Sequence, residues 1–589
     1  MEGKHAMGTG LKAVKKALKK AGLTGVEAHE WRKSVVLTGR APSWDDKIRA
    51  GYAATKKGYK GVVNDIVAEG VEADVMSIPS TTDSLLEGRH FDVVVIGGGV
   101  IGSAIARELS RYNITIALLD KEDDLAIHAS SRNDGMIHPG LAASPGSLKA
   151  HYNVRGNRAY TKVCEELGVE LKRPGSLVLF SNPFIKLILP FLKARARKNG
   201  VDGYQYLSKK EVNEIEPNTT THQHGAFFLP STGILSPYKL TIAFAENAVQ
   251  NGAEVFLCTA VLGFDMEDNH IARIKTNRGT FSASVVINAA GIWADKIADF
   301  ANDRFFSLHG RKGVEAVLDT KTGHYQRRIM AMPHLFQTSS KTKGGGLVIT
   351  NEGNLLIGPT AEEVPYRELY TTEQQDIDAL MKHIKLNTRL NISDIITYFA
   401  GIRACTYEED FIIEASEYID NLVHAAGIQS PGLASAPAIA EDITAIVIDK
   451  LKKLQDVTTR ENFNPYRKAI PEMKDLSLEE RARYIRENPA YGRIVCRCEE
   501  ISEGEIRDTL RSPIPVTTLD GLKRRARVGA GRCHGGFCTP RVLEIMSEEL
   551  HMNMTEITKK GKYSEFLLDE TKRNITYSDK HVRSIESTE

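Results

Sequence analysis

Cysteine is scarce in this chain, seven in 589 residues, and too unevenly placed to build a disulfide framework. That usage fits a reducing compartment. Long apolar runs are missing as well. The longest are Val93 to Ile101, interrupted by glycines, and Ile185 to Leu192, interrupted by Lys186 and Pro190. Neither approaches the roughly 18 residues that span a bilayer, so the chain is not expected to cross a membrane by itself. The N-terminus lacks the apolar core of a secretory signal. Nor does charge of one sign dominate: 77 Lys and Arg oppose 75 Asp and Glu, for a formal net charge of +2, which gives no reason to expect nucleic acid binding. What is present is ordinary for a soluble globular protein, 42% hydrophobic and 26% charged. The length accommodates roughly three or four domains.

Residues 1–72 form a small basic unit, with fourteen Lys and Arg against eight Asp and Glu. Leu11, Val14 and Leu18 recur at helical spacing while Lys12, Lys15, Lys16, Lys19 and Lys20 cover the other faces, so an amphipathic helix is predicted from Leu11 to Ala21. Strands at 26–31 and 34–39, a helix at 44–57 and a strand at 62–67 complete an α-β-β-α-β order. The lysines suit either a solvated helix face or contact with an anionic surface. A polar linker, 73–89, precedes a main body, 90–464, in which β-rich and helical segments alternate; 255–264, 270–276 and 279–288 read as strands. A charged, Pro-containing connector, 465–490, leads to a cysteine unit at 491–557 and a polar tail at 558–589.

The body opens with a nucleotide fingerprint. An apolar strand, Asp92 to Ile96, runs into Gly97-Gly-Gly99-Val-Ile-Gly102, and Ser103 to Tyr112 reads as a helix. In this strand-turn-helix context the first glycine makes the tight turn, the second lets pyrophosphate approach the backbone and the third lets helix pack on strand. A second strand, Ile114 to Leu119, ends in Asp120, whose carboxylate can accept hydrogen bonds from ribose hydroxyls. NAD and FAD share this fingerprint. Three further segments, Ala129 to Gly140, Val285 to Asp295 and Gly427 to Ala440, are rich in small residues and can lie along a dinucleotide. The last is a glycine turn opening a helix, whose N-terminus would stabilise an anionic reduced flavin ring.

Four of the cysteines are grouped as Cys496-Arg-Cys498, 34 residues, then Cys533-His-Gly-Gly-Phe-Cys538. Four thiolates from two short loops can close an iron–sulfur site or hold zinc. Zinc ribbons use C-x2-C pairs, whereas these pairs are C-x-C and C-x4-C, which favours a 2Fe-2S cluster and therefore electron transfer. Arg497, Lys523, Arg524, Arg525, Arg527 and Arg532 either raise the potential of an anionic cluster or form a solvated docking face. Cys164, Cys258 and Cys405 read as core or pocket residues.

Several motifs in one order, IGGGVIGSAIARELSRY, SSRNDGMIHPG, SPGSLKAHYNVRGNRAY, VINAAGIWAD, NLLIGPTAEE, FAGIRA and GIQSPGLASAPAIAEDI, make the body resemble the FAD-dependent oxidoreductases that include glycerol-3-phosphate dehydrogenases and L-2-hydroxyglutarate oxidases. IVCRCEEISEGEI, LDGLKRRARVGAGRCHGGFC and PRVLEIMSEEL resemble the BFD-like 2Fe-2S domain attached to anaerobic glycerol-3-phosphate dehydrogenase subunits. GVEAHEWRKSVVLTGRAPSWDDKIRA with GYKGVVNDIV resembles a BON domain, a module that contacts lipid or partner proteins. The implied fold class is α/β and α+β multidomain: a Rossmann-type FAD-binding domain with an antiparallel-sheet substrate domain, the small N-terminal module and a small C-terminal helical 2Fe-2S domain. The resemblance implies FAD contacts at Gly97, Gly99, Gly102, Asp120, Ser131, Asn133, Val261 through its backbone, Gly291 and Gly432, and cluster ligation by Cys496, Cys498, Cys533 and Cys538.

Hydride transfer from an alcohol carbon to a flavin needs a base, a cation for the substrate's anionic group and a dry pocket. His138 falls near the flavin by its motif, as base or as a cofactor-positioning hydrogen bond. Arg403, in FAGIRA, falls where the family places an anion-binding arginine, and its planar fork suits carboxylate or phosphate; a salt bridge to Glu409 or Asp410 is the plainer alternative. The family's glycerol-3-phosphate dehydrogenases carry a further arginine after AGIRP and a lysine in the final glycine turn. Here the motif ends in Ala404 and neither cation is present, which leaves Lys149 and Arg155 to compensate and makes a 2-hydroxycarboxylate at least as suitable as a phosphate. The expected protein is a cytoplasmic, membrane-peripheral at most, FAD dehydrogenase for glycerol-3-phosphate or a small 2-hydroxy acid. It would pass electrons through the cluster to a partner flavoprotein, ferredoxin or quinone-linked subunit. The rivals are an oxygen-using oxidase, an amino-acid or amine dehydrogenase and a non-catalytic electron-transfer subunit.

Overall fold

In the strand His90–Ile96 the valines Val93, Val94 and Val95 are fully buried, as required of a strand covered on both faces between parallel neighbours. Its neighbours are Ile116–Leu119 on one side and Gly279–Asn288 on the other, and Glu254–Phe256 and Leu422–Ala426 extend the parallel order outward. The helix Val100–Leu109 packs against Pro237–Gln250 and Gly432–Leu451. Buried Arg107 ties these layers together, its guanidinium reaching Glu166 at 2.5 Å and Asn247 at 2.9 Å. This is the Rossmann-type arrangement that the fingerprint requires. The computed structural model describes residues 2–332 and 345–569, without side chains for 2–9, and the chain divides into two compact units, Met1–Ala469 and Ile470–Glu589.

A second sheet of the first unit is largely antiparallel and is built around two long strands, Leu308–Leu318 and Ile395–Thr406, paired along their length. Side chains alternate across it, as strand geometry demands. Val314, Ala316 and Leu318 turn to a core shared with Leu380 and Ile384 of the helix Gln374–Ile384. On the same side Lys312 reaches Asp376 at 3.0 Å, both buried. The opposite face therefore carries Arg311, Gly313 and Glu315 from one strand and Phe399, Gly401 and Arg403 from the other.

The segment expected as one strand over 255–264 is two, Glu254–Phe256 and Val261–Glu267. Between them Cys258 takes a left-handed φ of 51°, and the amides of Cys258 and Thr259 donate to the carbonyls of Glu122 and Asp120, both at 2.8 Å. The break follows the end of the Asp120 strand, a tertiary demand that alternation in sequence does not carry.

The N-terminal residues adopt the α-β-β-α-β order: helix Glu2–Lys20, strands Val26–Trp31 and Ser34–Ala41, helix Trp44–Ala54 and strand Gly61–Asn64. The first helix begins well before Leu11, over residues whose apolar spacing gave no signal. The second stops short of Lys57 because Thr55 turns extended at ψ 159°. Val14 and Leu18 are buried in the module's own core, and Tyr407 of the body joins that core. The module is moulded to the body. A Cβ at Gly51 would sit 2.2 Å from the Tyr407 ring. Ser34 Oγ donates to the Phe305 carbonyl at 2.8 Å, the Ser307 amide donates to the Val62 carbonyl at 2.9 Å, and Asn64 Nδ2 donates to Tyr407 Oη at 2.8 Å. Residues 73–89 carry no regular element, yet Leu86 is fully buried and its amide donates to the Arg278 carbonyl at 2.9 Å.

In the second unit the stretch expected as a plain connector holds a helix, Leu478–Glu487, started by a Ser477–Glu480 capping box and without a buried residue. Its large apolar residues, Leu478 and Ile485, stay exposed, and apolar residues at helical spacing are too few in so charged a stretch to single out a helix by periodicity. Beyond it, a short ribbon of Ile494–Cys496 and Ile501–Ser502 precedes helices Glu503–Leu510, Leu519–Ala526 and Thr539–Leu550 around one core. The polar tail is described only to Asp569.

Candidate functional site

The fingerprint turn has the geometry of a bare backbone cradle. Gly97 lies at φ +112°, and a Cβ there would stand 2.3 Å from the Ala289 carbonyl oxygen; one at Gly102 would stand 1.9 Å from that of Gly97. Gly99 caps the helix without a side chain of its own, and the Val100 amide donates to Ser130 Oγ at 2.9 Å, a neutral acceptor at the end of the helix that favours an anion. Asp120 closes the turn: Gly98 N–H donates to its carboxylate at 2.7 Å and Glu122 N–H at 2.9 Å. Burial raises the Asp120 carboxyl to about 6, against the pull of the Glu122 and Gly98 amides. A dinucleotide's ribose hydroxyls would meet its remaining lone pairs. The turn Ala289-Ala290-Gly291 abuts Gly97, and Val261 starts its strand two residues after Thr259, whose amide is bonded to the Asp120 carbonyl. Bare glycine backbone, a ribose acceptor and small-residue walls together fit FAD.

From Ala129 the chain leads toward the second sheet. Ser131 Oγ donates to the Ile127 carbonyl at 3.2 Å, and Asn133 braces the same loop through the Ala129 carbonyl at 2.9 Å and the Gly135 amide at 3.0 Å. Their side chains therefore fix the loop and leave its backbone for a cofactor. His138 follows the short strand Met136–Ile137, with its carbonyl held by Asn153 at 2.6 Å and Asn157 at 2.9 Å. Its Nε2 lies 3.3 Å from Ser430 Oγ. Ser430 belongs to the glycine turn in which Gly432 N–H donates to the Gln429 carbonyl at 2.7 Å, opening the helix Gly432–Leu451. The sequence-predicted base and the final glycine turn are thus brought together.

Arg403 occupies the inner face of the two long strands, over Gly313, where a Cβ would lie 2.6 Å from its guanidinium. Its hydrogen bonds go to the Thr360 carbonyl at 3.4 and 3.5 Å, and among the described residues it makes no salt bridge. The alternative of a bridge to Glu409 or Asp410 is not what forms. Asp410 accepts from the Leu148 and Lys149 amides, both at 3.0 Å, and Glu409 is held by Arg311 at 2.6 Å. The two cations named as compensation are also engaged: Arg155 with Asp442 at 2.8 Å, and Lys149 with Glu409 at 3.6 Å, with burial lowering the lysine's pKa.

Glu315 and the side chain of Gln429 escaped the sequence analysis, in which Glu409 figured only as a partner for Arg403. Glu315, on the same face as Arg403, is buried with one carboxylate oxygen lacking a hydrogen-bond partner; burial, then the charge of Asp134, push it well up, opposed by Arg403. Glu409 sits at a left-handed φ of 59°. Its carboxylate accepts from Tyr52 Oη at 2.7 Å, Arg311 Nη2 at 2.6 Å and Gln429 Nε2 at 2.9 Å. Burial would raise it, but the Arg311 hydrogen bond and charge, then Tyr52, bring it down to about 2. Through Glu409 and Gln429 the N-terminal module is wired to the turn beside His138. An alternating charged strand could have flagged Glu315; nothing local could have flagged a contact between Tyr52 and Glu409.

In the second unit Cys498 Sγ and Cys533 Sγ lie 3.5 Å apart, and Cys496 is hydrogen-bonded to Cys538. Each pair takes one cysteine from the C-x-C loop and one from the C-x4-C loop. The Cys538 hydrogen bond, then burial, raise Cys496 well above an ordinary thiol, and burial with Cys533 lifts Cys498 to about 12. Their partners move the other way: Cys538 is lowered by the Cys496 hydrogen bond, and Cys533, which burial would raise, is lowered by Cys498 and backbone amides. Each pair thus holds one thiol ready to ionise and one that a metal would have to deprotonate. Backbone amides of Gly529 and Glu499 already point at Cys496, and those of Phe537 and Gly535 at Cys533. Two thiol pairs with amide donors fit the two irons of a 2Fe-2S cluster. Of the surrounding cations, Arg527 is paired with Glu499 at 2.8 Å and Arg497 lies 4.6 Å over the Phe537 ring.

Comparison with known proteins points to the same two cofactors. Residues 92–446 match the family model of FAD dependent oxidoreductases and residues 494–548 that of the BFD-like [2Fe-2S] binding domain. A glycerol 3-phosphate dehydrogenase of Caloramator mitchellensis is 40% identical over 488 residues, covering 82% of this chain and all of that protein. One component of the anaerobic glycerol-3-phosphate dehydrogenase of Haemophilus influenzae is 26% identical over 77% of this chain and 84% of its own length. Among solved structures, the dithionite-reduced L-α-glycerophosphate oxidase of Mycoplasma pneumoniae with FAD bound superposes at a TM-score of 0.59, with 26% identity over 64% of this chain and 98% of that one. The chain therefore belongs to the FAD dependent oxidoreductase family and carries, after its flavin body, a BFD-like 2Fe-2S domain.

Proposed function

We propose that this protein oxidises the secondary alcohol of glycerol 3-phosphate and hands the electrons to a separate acceptor, a partner protein or a quinone-linked subunit. The observation that carries the reading is Arg403, a half-buried guanidinium with no carboxylate partner among the described residues, on the sheet face that also meets the loop of His138. The naming of the 40% identical relative as a glycerol 3-phosphate dehydrogenase supports the substrate. The likeness to one component of a multi-component anaerobic dehydrogenase supports transfer to another protein.

In this reading Arg403 holds the substrate's phosphate through its planar fork. His138 accepts the hydroxyl proton at Nε2, the nitrogen that Ser430 Oγ approaches to 3.3 Å and whose lone pair the serine must yield to the substrate hydroxyl. The carbon-bound hydrogen leaves as hydride, so the alcohol loses two electrons and two hydrogens and becomes the ketone. Bound FAD supplies the hydride acceptor, and a bound 2Fe-2S cluster supplies a one-electron outlet. Gly97, Gly99, Gly102, Asp120, Ser131, Asn133, Val261, Gly291 and Gly432 are the residues we assign to FAD, and Cys496, Cys498, Cys533 and Cys538 those to the cluster. Residues 1–72, BON-like in element order, serve here as a wall of the catalytic body. The chain works in a reducing, cytoplasmic compartment, consistent with its unbridged cysteines.

A 2-hydroxycarboxylate is the second reading. One observation favours it: of the three cations named from the sequence, Lys149 and Arg155 are engaged with carboxylates and Arg403 is left for the anion, and one guanidinium neutralises a carboxylate better than a phosphate dianion. Anaerobic titration of the flavin band with glycerol 3-phosphate and with L-2-hydroxyglutarate separates the two. Bleaching by the phosphate alone supports the proposal; bleaching by the hydroxy acid alone replaces it.

A further inference from the structure

The segment Pro183–Asn199, a 3-10 turn followed by a helix, is apolar on two sides. Its inner stripe is accounted for: Ile185 and Ala196 are buried, with Ile188, Leu189 and Leu192 against Phe180, Val201 and Phe227. The outer stripe is not. Phe184, Leu187 and Phe191 are 75%, 78% and 61% exposed, and their spacing of three and four residues puts them on one side of the element. A second apolar stripe on the uncovered side of a surface element matches an interface with something other than water.

The charges around that stripe indicate what the something is. Lys186, Lys193, Arg197 and Lys198 are exposed beside it, and the segment contains no Asp or Glu. Phenylalanine and leucine projecting between cations is the composition of an element lying in the headgroup layer, its apolar side chains among the upper acyl chains and its cations on anionic phosphates. The platform is prebuilt. Asn182 caps the turn through the Phe184 amide, Arg195 Nε donates to the Leu141 carbonyl at 2.9 Å, and Asn199 Nδ2 donates to the carbonyls of Gly140 and Ala143 at 2.8 and 2.9 Å. The lysine-rich N-terminal helix does not show this combination among its described side chains: Val14 and Leu18 are spent on the module's own core.

We propose that Pro183–Asn199 docks the protein peripherally on an anionic lipid surface, with Phe184, Leu187 and Phe191 inserted and Lys186, Lys193, Arg197 and Lys198 paired to headgroups. The test is flotation of the holoenzyme with phosphatidylcholine vesicles and with vesicles that also contain phosphatidylglycerol. The wild type is expected to float with the anionic vesicles and to lose binding as salt rises. A variant combining Phe184→Ser, Leu187→Ser and Phe191→Ser is expected to bind at least about tenfold more weakly while keeping its flavin content and melting temperature. Tryptophan emission of Phe191→Trp should shift to the blue with anionic vesicles and be quenched by brominated lipid. A wild type that fails to bind, or a triple variant that binds as well as wild type, overturns the proposal. So does a wild type that self-associates in sedimentation, without binding lipid, and is made monomeric by the triple change, since the stripe would then be a protein interface.

Discussion

Replacing Tyr52 by phenylalanine removes a single oxygen atom from the contact between the N-terminal module and the catalytic body. That oxygen accepts from Arg311 Nη2 at 2.7 Å and donates to Glu409 Oε1 at 2.7 Å. No charge is stranded by its loss, because Arg311 remains bonded to Glu409 at 2.6 Å and to Glu363 at 2.8 Å. The change therefore removes two charge-assisted hydrogen bonds, each worth about 1.5–3 kcal/mol at most, and the partial exposure of Glu409 together with the direct Arg311–Glu409 pairing that remains favours the lower figure for the two combined. Since Glu409 also holds Gln429, and the Gln429 carbonyl anchors the turn that carries Ser430, part of the loss should appear as misplacement of the His138 partner. The expected result is a fall in kcat/KM of roughly tenfold, the equivalent of about 1.4 kcal/mol, with FAD retained. Ser34→Ala, which removes the module's hydrogen bond to the Phe305 carbonyl but touches nothing near Gln429, should lower thermal stability and leave kcat/KM within about twofold of wild type. The assay is anaerobic reduction of the flavin by substrate, followed over a concentration series, beside melting by flavin fluorescence. If Tyr52→Phe matches wild type in kcat/KM, or if Ser34→Ala loses as much, the wiring from module to turn is refuted.

Other outcomes follow from single features. Gly102→Val, with a Cβ that would stand 1.9 Å from the Gly97 carbonyl oxygen, should yield protein without bound flavin, read from its visible absorbance. Arg403→Lys keeps the charge but loses the fork, so the substrate KM should rise by more than about tenfold while flavin content stays that of wild type. Cys496→Ser should remove the iron measured by elemental analysis, leave flavin reduction by substrate intact and abolish transfer to an external one-electron acceptor. Glu409 and Glu122 both stand at about 2 in the folded protein against an ordinary 4.5; for Glu122 burial raises it, and the His128 hydrogen bond and charge together with Lys121 bring it down. Their folded values lie below their unfolded ones, so their stabilisation is complete above about pH 4.5 and is lost as pH falls toward 2, up to about 3 kcal/mol each. Melting temperature should decline across that window.

The nucleotide site was legible because it is local: strand, glycine turn, helix and Asp120 lie within about thirty residues, and the cysteine spacing announced the cluster in the same way. His138 and Arg403 were legible only through their motifs; the chain's own patterns placed neither. What stayed hidden is long-range. The commitment of Glu409 to Gln429, Arg311 and Tyr52 joins residues 20, 98 and 357 positions away, and the buried Glu315 is recognisable only once Leu308–Leu318 is paired with Ile395–Thr406. The apolar run over Ile185 to Leu192 was visible as composition. That Phe184, Leu187 and Phe191 point away from the core while Ile185 points into it depends on which side the body covers.

The most direct test of internal electron transfer mixes the anaerobic, cluster-intact protein with glycerol 3-phosphate and follows the flavin band by stopped flow and the reduced cluster by electron paramagnetic resonance. The flavin is expected to bleach, and the signal of a reduced 2Fe-2S cluster then to rise in the same sample. A cluster that dithionite reduces but that stays oxidised after the substrate has bleached the flavin would contradict the proposed route.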